Sequence, residues 1–257
     1  MVVALVRRPS PTLADGVVEH IDRVPVDLDR ALVQWDGYVA ALRDNGWDVR
    51  EVDPSPGHPD AVFVEDTVVM FRGLAVVCRA GHPSRRGEEG ATERAVAALG
   101  CAVARIEAPG TLDGGDVLKI GDTVLVGRGG RTNADGVRQL RAILAPLGGT
   151  VVAVPVSRVL HLKTAVTALP DGTVIGYEPF VDDPRLLGRF RPVPEEHGTA
   201  VVLLGQDRLL LSAAAPRTAD LLADLGYVPV PVDIGEFEKL EGCVTCLSVR
   251  VRHLPGS

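Results

Sequence analysis

Long apolar runs and basic clusters are both missing from this sequence of 257 residues. No apolar run reaches the roughly 18–20 residues that a membrane-spanning helix needs, so we expect no membrane partner. The first residues, MVVALVRRPS, hold too short an apolar stretch for a secretory signal and predict a first strand instead. The formal net charge is −7, and the absence of a Lys/Arg-rich run argues against a nucleic-acid partner.

Aromatic residues and cysteines are also scarce. Phe, Trp and Tyr make up 4% of the residues, so the core must be built from Val, Leu, Ala and Ile. The four cysteines stand at positions 78, 101, 243 and 246, a pattern that does not resemble a disulfide framework. These features predict reduced thiols and a cytoplasmic protein.

A strand–strand–helix–strand order recurs about every 50 residues along the chain. The first clear copy has predicted strands over 61–71 and 74–79, a helix over 84–99 and a strand over 101–106. The next has DVLKI and TVLVG around Gly121-Asp122, a helix over 133–147 and the strand TVVAVPV. The later copies consist of TAVTAL, TVIGY and a short helix near 183–189, and then of AVVLL, RLLLS, a helix over 215–225 and YVPVPV.

About five such units fit in the chain if the N-terminal strand is counted with the last unit. No low-complexity linker divides the sequence. The repeat therefore predicts one α/β domain over residues 1–257, a propeller of about five modules closed by its two ends. An ordinary α/β sandwich is the alternative that the pattern leaves open.

Two acidic motifs are candidates for a functional site. In FVEDT, Glu65 and Asp66 are neighbours at the end of an apolar strand, and neighbouring strand residues point to opposite faces. Both can reach one ligand only if the chain turns there. In TLDGGDVL, a glycine pair allows a tight turn between Asp113 and Asp116. A solvated strand end and a plain turn are the corresponding structural interpretations.

His161 and the pair Cys243/Cys246 complete the candidates. His161 lies in the strand-like run VLHLKTAV, where a core histidine with satisfied hydrogen bonds is the commoner case. LSVRVRHL after Cys246 alternates like a strand, so the two thiols would face opposite sides, which argues against a redox pair. A second pair of zinc ligands is not apparent. One thiol as nucleophile, with His161 as base and a carboxylate to orient it, is the functional interpretation, and two inert core cysteines is the alternative.

Six motifs in a fixed order carry a resemblance to a known family: FVEDT, PSRR, TLDGGDVL, RTN, LHLKT and EKLEGCVTCLS. From about residue 4 to residue 252, the chain resembles the dimethylarginine dimethylaminohydrolases. These enzymes belong to the guanidino-modifying superfamily with the pentein fold, a five-bladed ββαβ propeller. The resemblance implies hydrolysis of asymmetric dimethylarginine and monomethylarginine to citrulline and dimethylamine or methylamine, through a covalent cysteine thiouronium. It implies no metal and no cofactor.

The resemblance also implies a role for each matched residue. Cys246 matches the nucleophile, His161 the general acid/base and Asp113 the carboxylate that orients the histidine, which leaves Cys243 as a bystander. The other matched positions bind the substrate: Glu65 and Asp66 at the guanidinium, Arg85 and Arg131 at the α-carboxylate, and Asp60 with the carbonyls of Val18 and Leu240 at the α-amino group. A loop around residues 9–18 matches a lid.

Four positions depart from the family pattern or have no assigned role. Val18 stands where leucine is common, Leu247 where some relatives have a second cysteine, and Arg86 beside Arg85 leaves open which arginine points inward. Asp116 is expected to have a structural role in the turn. The expected partner is a small guanidino amino acid, and a homodimer stays open.

Two other functions compete with this interpretation. An arginine deiminase would use the same chemistry on unmethylated arginine, but such enzymes typically carry an inserted helical segment for which this chain has no room. A non-enzymatic, ribosome-associated propeller would not need the Cys, His and acid set.

Overall fold

Each repeat predicted from the sequence forms a separate three-stranded mixed sheet. The computed structural model describes residues 2–254. In every sheet the middle strand runs antiparallel to one neighbour and parallel to the other. The strands are β1 (Val3–Val6), β2 (Asp48–Glu51), β3 (Val68–Phe71), β4 (Leu74–Val77), β5 (Ala102–Arg105), β6 (Val117–Ile120), β7 (Thr123–Arg128), β8 (Thr150–Pro155), β9 (Val166–Ala168), β10 (Val174–Gly176), β11 (Phe190–Pro192), β12 (Val201–Gly205), β13 (Arg208–Ser212), β14 (Val228–Val232) and β15 (Val249–Val251).

Helices connect the middle strand of each sheet to its third strand, except in the fourth sheet, where two 3₁₀ turns do so. The α-helices are α1 (Leu28–Asp44), α2 (Glu89–Ala98), α3 (Ala134–Leu144), α4 (Leu162–Ala165), α5 (Pro216–Asp224) and α6 (Gly235–Glu238). The 3₁₀ turns are Leu13–Asp15, Pro59–Val62, Val64–Thr67, Pro83–Arg85, Gly114–Asp116, Ala145–Leu147, Glu178–Phe180, Pro184–Leu187 and Glu196–Gly198. Within residues 2–254, no helix combines the length and the hydropathy needed to cross a membrane.

The first sheet joins the two ends of the chain. The C-terminal strand β15 pairs antiparallel with β1, and β1 pairs parallel with β2. The ends therefore complete one blade, and the prediction of a five-bladed ββαβ propeller closed by its ends is confirmed.

Strand direction places one set of loops together at one end of the propeller. Residues of β3, β6, β9, β12 and β15, the first strand of each blade, line a single central cavity. In each blade the middle strand runs antiparallel to the first strand. The segment that precedes the first strand and the segment that follows the middle strand therefore lie at the same end of the blade. All the motifs that carry the family resemblance fall in these segments.

Helix α1 packs against the end of the propeller that carries the motifs. Asp27 caps it by accepting a hydrogen bond from the Arg30 amide, and Trp35, Tyr38 and Leu42 form its buried face. These side chains belong to the same core cluster as Cys246, so α1 packs against the segment that holds the candidate nucleophile.

The predicted strand over 61–71 is wrong in its first half, where the 3₁₀ turns 59–62 and 64–67 precede β3. The run is buried throughout and apolar on both sides of Glu65, Asp66 and Thr67, so periodicity could not distinguish a turn from a strand. The strand-like run around His161 is likewise a loop followed by α4. The helices predicted over 84–99 and 133–147 are shorter than expected, and a 3₁₀ turn lies at one end of each. The short helix predicted near 183–189 is a 3₁₀ turn over Pro184–Leu187.

Replacing Tyr38 by Phe tests the contact between α1 and the candidate site. The buried Tyr38 hydroxyl lies 3.0 Å from the Val244 carbonyl and 2.7 Å from Ser248 Oγ. Its loss removes the donor to the Val244 carbonyl, while Ser248 Oγ keeps its hydrogen bond from Arg250, so we expect the free energy of unfolding in urea to fall by about 1–3 kcal/mol. Tyr177→Phe, on a ring packed edge-to-face against Phe180, is the matched control. Equal stability of the two variants would contradict the role given to this hydroxyl.

Candidate active site

Cys243 and Cys246 lie in a turn and face each other. The Cys246 amide donates to the Cys243 carbonyl at 3.0 Å, and the two Sγ atoms are 3.3 Å apart. The expectation that the thiols face opposite sides is therefore wrong, because the strand that follows, β15, begins only at Val249. The four cysteines of the chain are free thiols.

The contact between the two thiols shifts their pKa values in opposite directions. The hydrogen bond with Cys246 lowers the pKa of Cys243, and the same contact, followed by burial, raises the pKa of Cys246 well above its ordinary value. One negative charge shared by the pair is thus favoured over two. A positive charge placed against Cys246 would draw the thiolate to that sulfur.

The FVEDT segment turns next to Cys246. Glu65 and Asp66 lie in the 3₁₀ turn 64–67 and are only 4% and 5% exposed. The Glu65 amide donates to the Cys246 carbonyl at 3.2 Å. The turn that both acids would need to reach one ligand is present, and the interpretation as a solvated strand end is wrong.

Glu65 has one engaged and one unengaged oxygen. Lys163 Nζ lies 2.6 Å from Oε1, and Arg250 donates to the same oxygen. Oε2 is buried and has no hydrogen-bond partner among the described residues. A buried carboxylate oxygen with spare accepting capacity suits a donor such as a guanidinium N–H.

His161 lies between two carboxylates. Its Nε2 is 3.0 Å from Asp113 Oδ2, and its Nδ1 is 3.8 Å from Asp66 Oδ1. Burial alone would lower the pKa of His161, but the nearby Asp66 and the hydrogen bond with Asp113 outweigh it and raise the pKa to about 9. His161 is therefore an imidazolium at neutral pH and can donate a proton.

The glycine pair in TLDGGDVL permits this close packing. A Cβ on Gly114 would stand 2.0 Å from the Glu65 carbonyl oxygen, and one on Gly115 would stand 2.7 Å from both Asp66 Oδ1 and His161 Nδ1. Neither glycine has a positive φ. The predicted turn between Asp113 and Asp116 is present as a 3₁₀ turn, in which the Asp116 amide donates to the Asp113 carbonyl at 3.0 Å. The glycines are required there for close approach to neighbouring segments and not for a left-handed backbone.

Arg85 is the inward-facing arginine of PSRR, whereas Arg86 is exposed. Arg85 Nη1 lies 2.6 Å from Asp66 Oδ2, and its Nη2 lies 2.8 Å from Glu88 Oε2. Burial would raise the pKa of Asp66, but His161 and Arg85 hold it well below its usual range. Because these contacts are with protein carboxylates, a contact of Arg85 with a substrate carboxylate stays a prediction.

The loop predicted as a lid folds onto Asp60. Both Asp60 oxygens accept a hydrogen bond from the Val17 amide, at 3.1 and 3.2 Å. A Cβ on Gly16 would stand 2.9 Å from Asp60 and 3.2 Å from Leu240. The structure thus brings Asp60, Leu240 and the segment containing Val18 together.

Arg131 is paired with the same loop. Its Nη2 lies 3.2 Å from Glu19 Oε1, and its Nη1 lies 3.5 Å from Asp113 Oδ2. Glu241 in turn accepts hydrogen bonds from the amides of Glu19 and His20, at 2.6 and 3.1 Å. The Glu19 carboxylate is therefore paired with Arg131, the arginine to which the resemblance assigns the substrate α-carboxylate.

Asp116 connects the neighbouring segments. One oxygen lies 2.6 Å from Thr132 Oγ1, and the other accepts from the Leu162 amide at 3.0 Å. Burial raises its pKa to about 6. Asp116 thereby holds the RTN segment and the residue after His161 in place, which agrees with a structural role.

Asp66, Asp113 and His161 offer ligand atoms within 4.8 Å of one another, a spacing that could hold a metal ion. An imidazole with a pKa of about 9 is protonated at neutral pH, however, and Arg85 and Arg131 pair with the carboxylates. The arrangement suits proton transfer better than metal ligation.

Five residues of the site were not identified from the sequence: Glu19, Glu88, Lys163, Glu241 and Arg250. Each is the charged partner of a residue that was identified or a support of the loop. Lys163, in the LHLKT motif two residues after His161, and Glu241, in the EKLEGCVTCLS motif, offered a signal by their positions.

The ionisation of His161 can be measured directly by NMR. We expect its ring to titrate near pH 9, so its protonated form contributes stability below pH 6.5 that is lost as the pH rises through 9. Asp113→Asn should lower this pKa by at least about one pH unit, because an anionic acceptor is removed. The exposed-helix variant Asp135→Asn should leave it unchanged, and His161→Gln identifies the resonance. Titration below pH 7 in the parent protein would contradict the assigned charge state.

Comparisons with known proteins agree with this geometry. A family model described as arginine deiminase matches residues 59–209. An N(G),N(G)-dimethylarginine dimethylaminohydrolase of Streptomyces coelicolor is 67% identical and aligns with 98% of this chain and 97% of its own length. The structure of DDAH from Pseudomonas aeruginosa, a cysteine-to-serine mutant complexed with citrulline, has a TM-score of 0.90 at 35% identity, covering 96% of this chain and 98% of the other.

A second solved structure is a dimethylarginine dimethylaminohydrolase, with histidine replaced by glycine, as an adduct with S-methyl-L-thiocitrulline. It has a TM-score of 0.91 at 34% identity and covers 98% of this chain and 100% of the other. Identity and coverage of this extent give the non-enzymatic alternative no support. This chain belongs to the dimethylarginine dimethylaminohydrolase family.

Proposed function

We propose that the protein hydrolyses free Nω-methylated L-arginines, asymmetric dimethylarginine and monomethylarginine, to L-citrulline and dimethylamine or methylamine. The observation that carries this proposal is a buried imidazolium, His161, held by two carboxylates in the same buried site as a thiol pair. That combination provides a nucleophile and a proton for a poor leaving group.

The charged groups of the site match the substrate from one end to the other. The guanidinium lies against Glu65 and Asp66, and Glu65 Oε2 is the free acceptor for one of its N–H groups. The α-carboxylate binds Arg131 in exchange for Glu19, with Arg85 as the second cation. The α-amino group binds Asp60 and the backbone carbonyls of Val18 and Leu240, in exchange for the Val17 amide.

Cys246 is the nucleophile in this mechanism. The contact with Cys243 and burial keep the pKa of Cys246 high, and the positive charge of the bound guanidinium favours the thiolate at that sulfur. The thiolate attacks the central guanidinium carbon. The protonated His161 gives its proton to the departing methylamine or dimethylamine, since an amide anion cannot leave.

The covalent thiouronium that remains is hydrolysed by water. His161, now neutral and held by Asp113, takes a proton from that water as it attacks the same carbon. Collapse of the adduct returns the thiol and releases citrulline. Each proton passes through one imidazole, so substrate charge and the buried carboxylates supply the electrostatics of both steps.

Unmethylated arginine is the second candidate substrate, because the family model that matches residues 59–209 is described as arginine deiminase. The chemistry would be the same, with ammonia as the leaving group. The two substrates differ at the leaving nitrogen, where methylation adds volume and removes N–H donors.

Citrulline release from asymmetric dimethylarginine and from arginine, measured in parallel, tests the proposal. We expect turnover of the methylated substrate, a loss of about a thousandfold or more in Cys246→Ser, and retention of most activity in the matched variant Cys243→Ser. The hydroxyl of serine is a far weaker nucleophile than a thiolate. Turnover of arginine instead would make the protein a deiminase, and activity that survives Cys246→Ser would refute the mechanism.

Glu19→Gln tests whether the loop carboxylate competes with the substrate. Removing its charge weakens the contact with Arg131, so we expect KM to fall severalfold while kcat stays nearly constant. Glu51→Gln, on the exposed strand β2, removes the same charge away from the site and serves as the control. A rise in KM for Glu19→Gln would mean that Glu19 helps to bind the substrate instead.

A further inference from the structure

The central cavity of the propeller, hereafter called the chamber, extends along the axis beyond the candidate active site. It has a volume of about 560 Å³ and is lined by the first strand of each of the five blades. It extends to the hairpin turns at Arg72-Gly73 and Gly121-Asp122. These turns follow the first strands, so the chamber opens away from the end that carries Cys246. Glu65 and Lys163 lie on its wall as well as in the candidate active site.

The chamber wall is strongly basic. Its lining includes five Lys and Arg side chains but only two carboxylates, Glu65 and Asp122. Lys163 and Arg250 share Glu65, and Arg72 pairs with Asp122 at the rim. Two cations of the wall, Lys119 and Arg252, have no carboxylate partner among residues 2–254.

The contacts of these two cations are with neutral groups only. Lys119 Nζ donates to the Met70 carbonyl at 2.7 Å, and Arg252 donates to the Leu203 carbonyl at 2.6 Å and stacks on Trp47. Both residues line the chamber and retain exposed surface, although the surrounding blades enclose them. Each retains N–H groups that can donate to a further acceptor.

Enclosure by the protein, followed by repulsion between like charges, disfavours the charged forms of both side chains. Burial within the protein, together with the neighbouring Lys163 and Arg250, lowers the pKa of Lys119 to about 7. Burial and Arg250 also lower the pKa of Arg252 to about 10. An anion in the chamber would relieve this repulsion and stabilise both cations.

We propose that this chamber is a binding site for a small polyanion with carboxylate or phosphate groups, held by Lys119 and Arg252. Its volume lies within the roughly 300–1,000 Å³ of ligand pockets. Anionic groups are the acceptors that unpaired Lys and Arg side chains bind most strongly. A bound anion also competes with Glu65 for Lys163 and Arg250, which connects the chamber to the active-site carboxylate.

Titration calorimetry with citrate and, separately, pyrophosphate tests the proposal, in buffers of constant ionic strength set with chloride. We expect saturable binding of at least one anion to the intact protein. Lys119→Gln and Arg252→Gln should each raise its Kd about tenfold or more, because each removes a charge-assisted hydrogen bond. Arg138→Gln removes one positive charge from exposed helix α3 and should leave the Kd unchanged.

The outcomes separate the ligand classes and decide the proposal. Binding of citrate alone identifies a carboxylate ligand, and binding of pyrophosphate alone identifies a phosphate ligand. Lack of saturable binding by both anions overturns the proposal. Equal weakening in all three variants, or none in Lys119→Gln and Arg252→Gln, overturns it too, because binding would then depend on net charge or lie elsewhere. None of these readouts depends on catalytic activity.

Discussion

Three carboxylates buried at one end of the propeller axis constrain the rest of the structure: Glu65, Asp66 and Asp113. An unpaired charge in such a position is costly, so each carboxylate requires a cation or several hydrogen-bond donors. The partners come from distant segments of the chain, namely Lys163 with Arg250, Arg85, and His161. These pairs can form together only if the blades close into a ring in the correct order. The pairs therefore contribute geometric specificity more than net stability, which burial of the Val- and Leu-rich blades supplies.

The same carboxylates set the protonation state of the catalytic groups. Asp66 and Asp113 keep His161 protonated, while the contact with Cys243 and burial leave the pKa of Cys246 high. Before substrate binds, the general acid His161 is thus protonated as the reaction requires, whereas the nucleophile Cys246 is still a thiol. A guanidinium corrects this imbalance when it binds, because it supplies the missing positive charge. Reactivity of the thiol is thereby linked to the presence of a cationic substrate, which protects a buried cysteine from reacting with unrelated electrophiles.

The fold could be predicted from the sequence because its signals are local: apolar strands, turn residues and a repeat of nearly constant length. The identity of the catalytic residues could be predicted because the motifs resemble those of a family. The local shape of the site could not. Three local features depend on contacts between residues far apart in the chain: the turn at Glu65, the loop before His161 and the facing thiols. One such contact is the hydrogen bond from the Glu65 amide to the Cys246 carbonyl. Glycines 114 and 115 illustrate the same limit, since their role depends on neighbours from other blades.

Groups of the protein occupy positions that the proposed mechanism assigns to the substrate. Glu19 pairs with Arg131 as the α-carboxylate would, and the Val17 amide donates to Asp60 as the α-amino group would. Binding then exchanges one partner for another and leaves no buried charge unpaired at any stage. A guanidine that lacks the carboxylate would leave Arg131 with Glu19 and keep the loop in place. Selectivity for a free amino acid would thus arise from displacement of the loop by the substrate carboxylate. The loop and its anchor Glu241 would contribute to substrate choice even though they take no part in the chemistry.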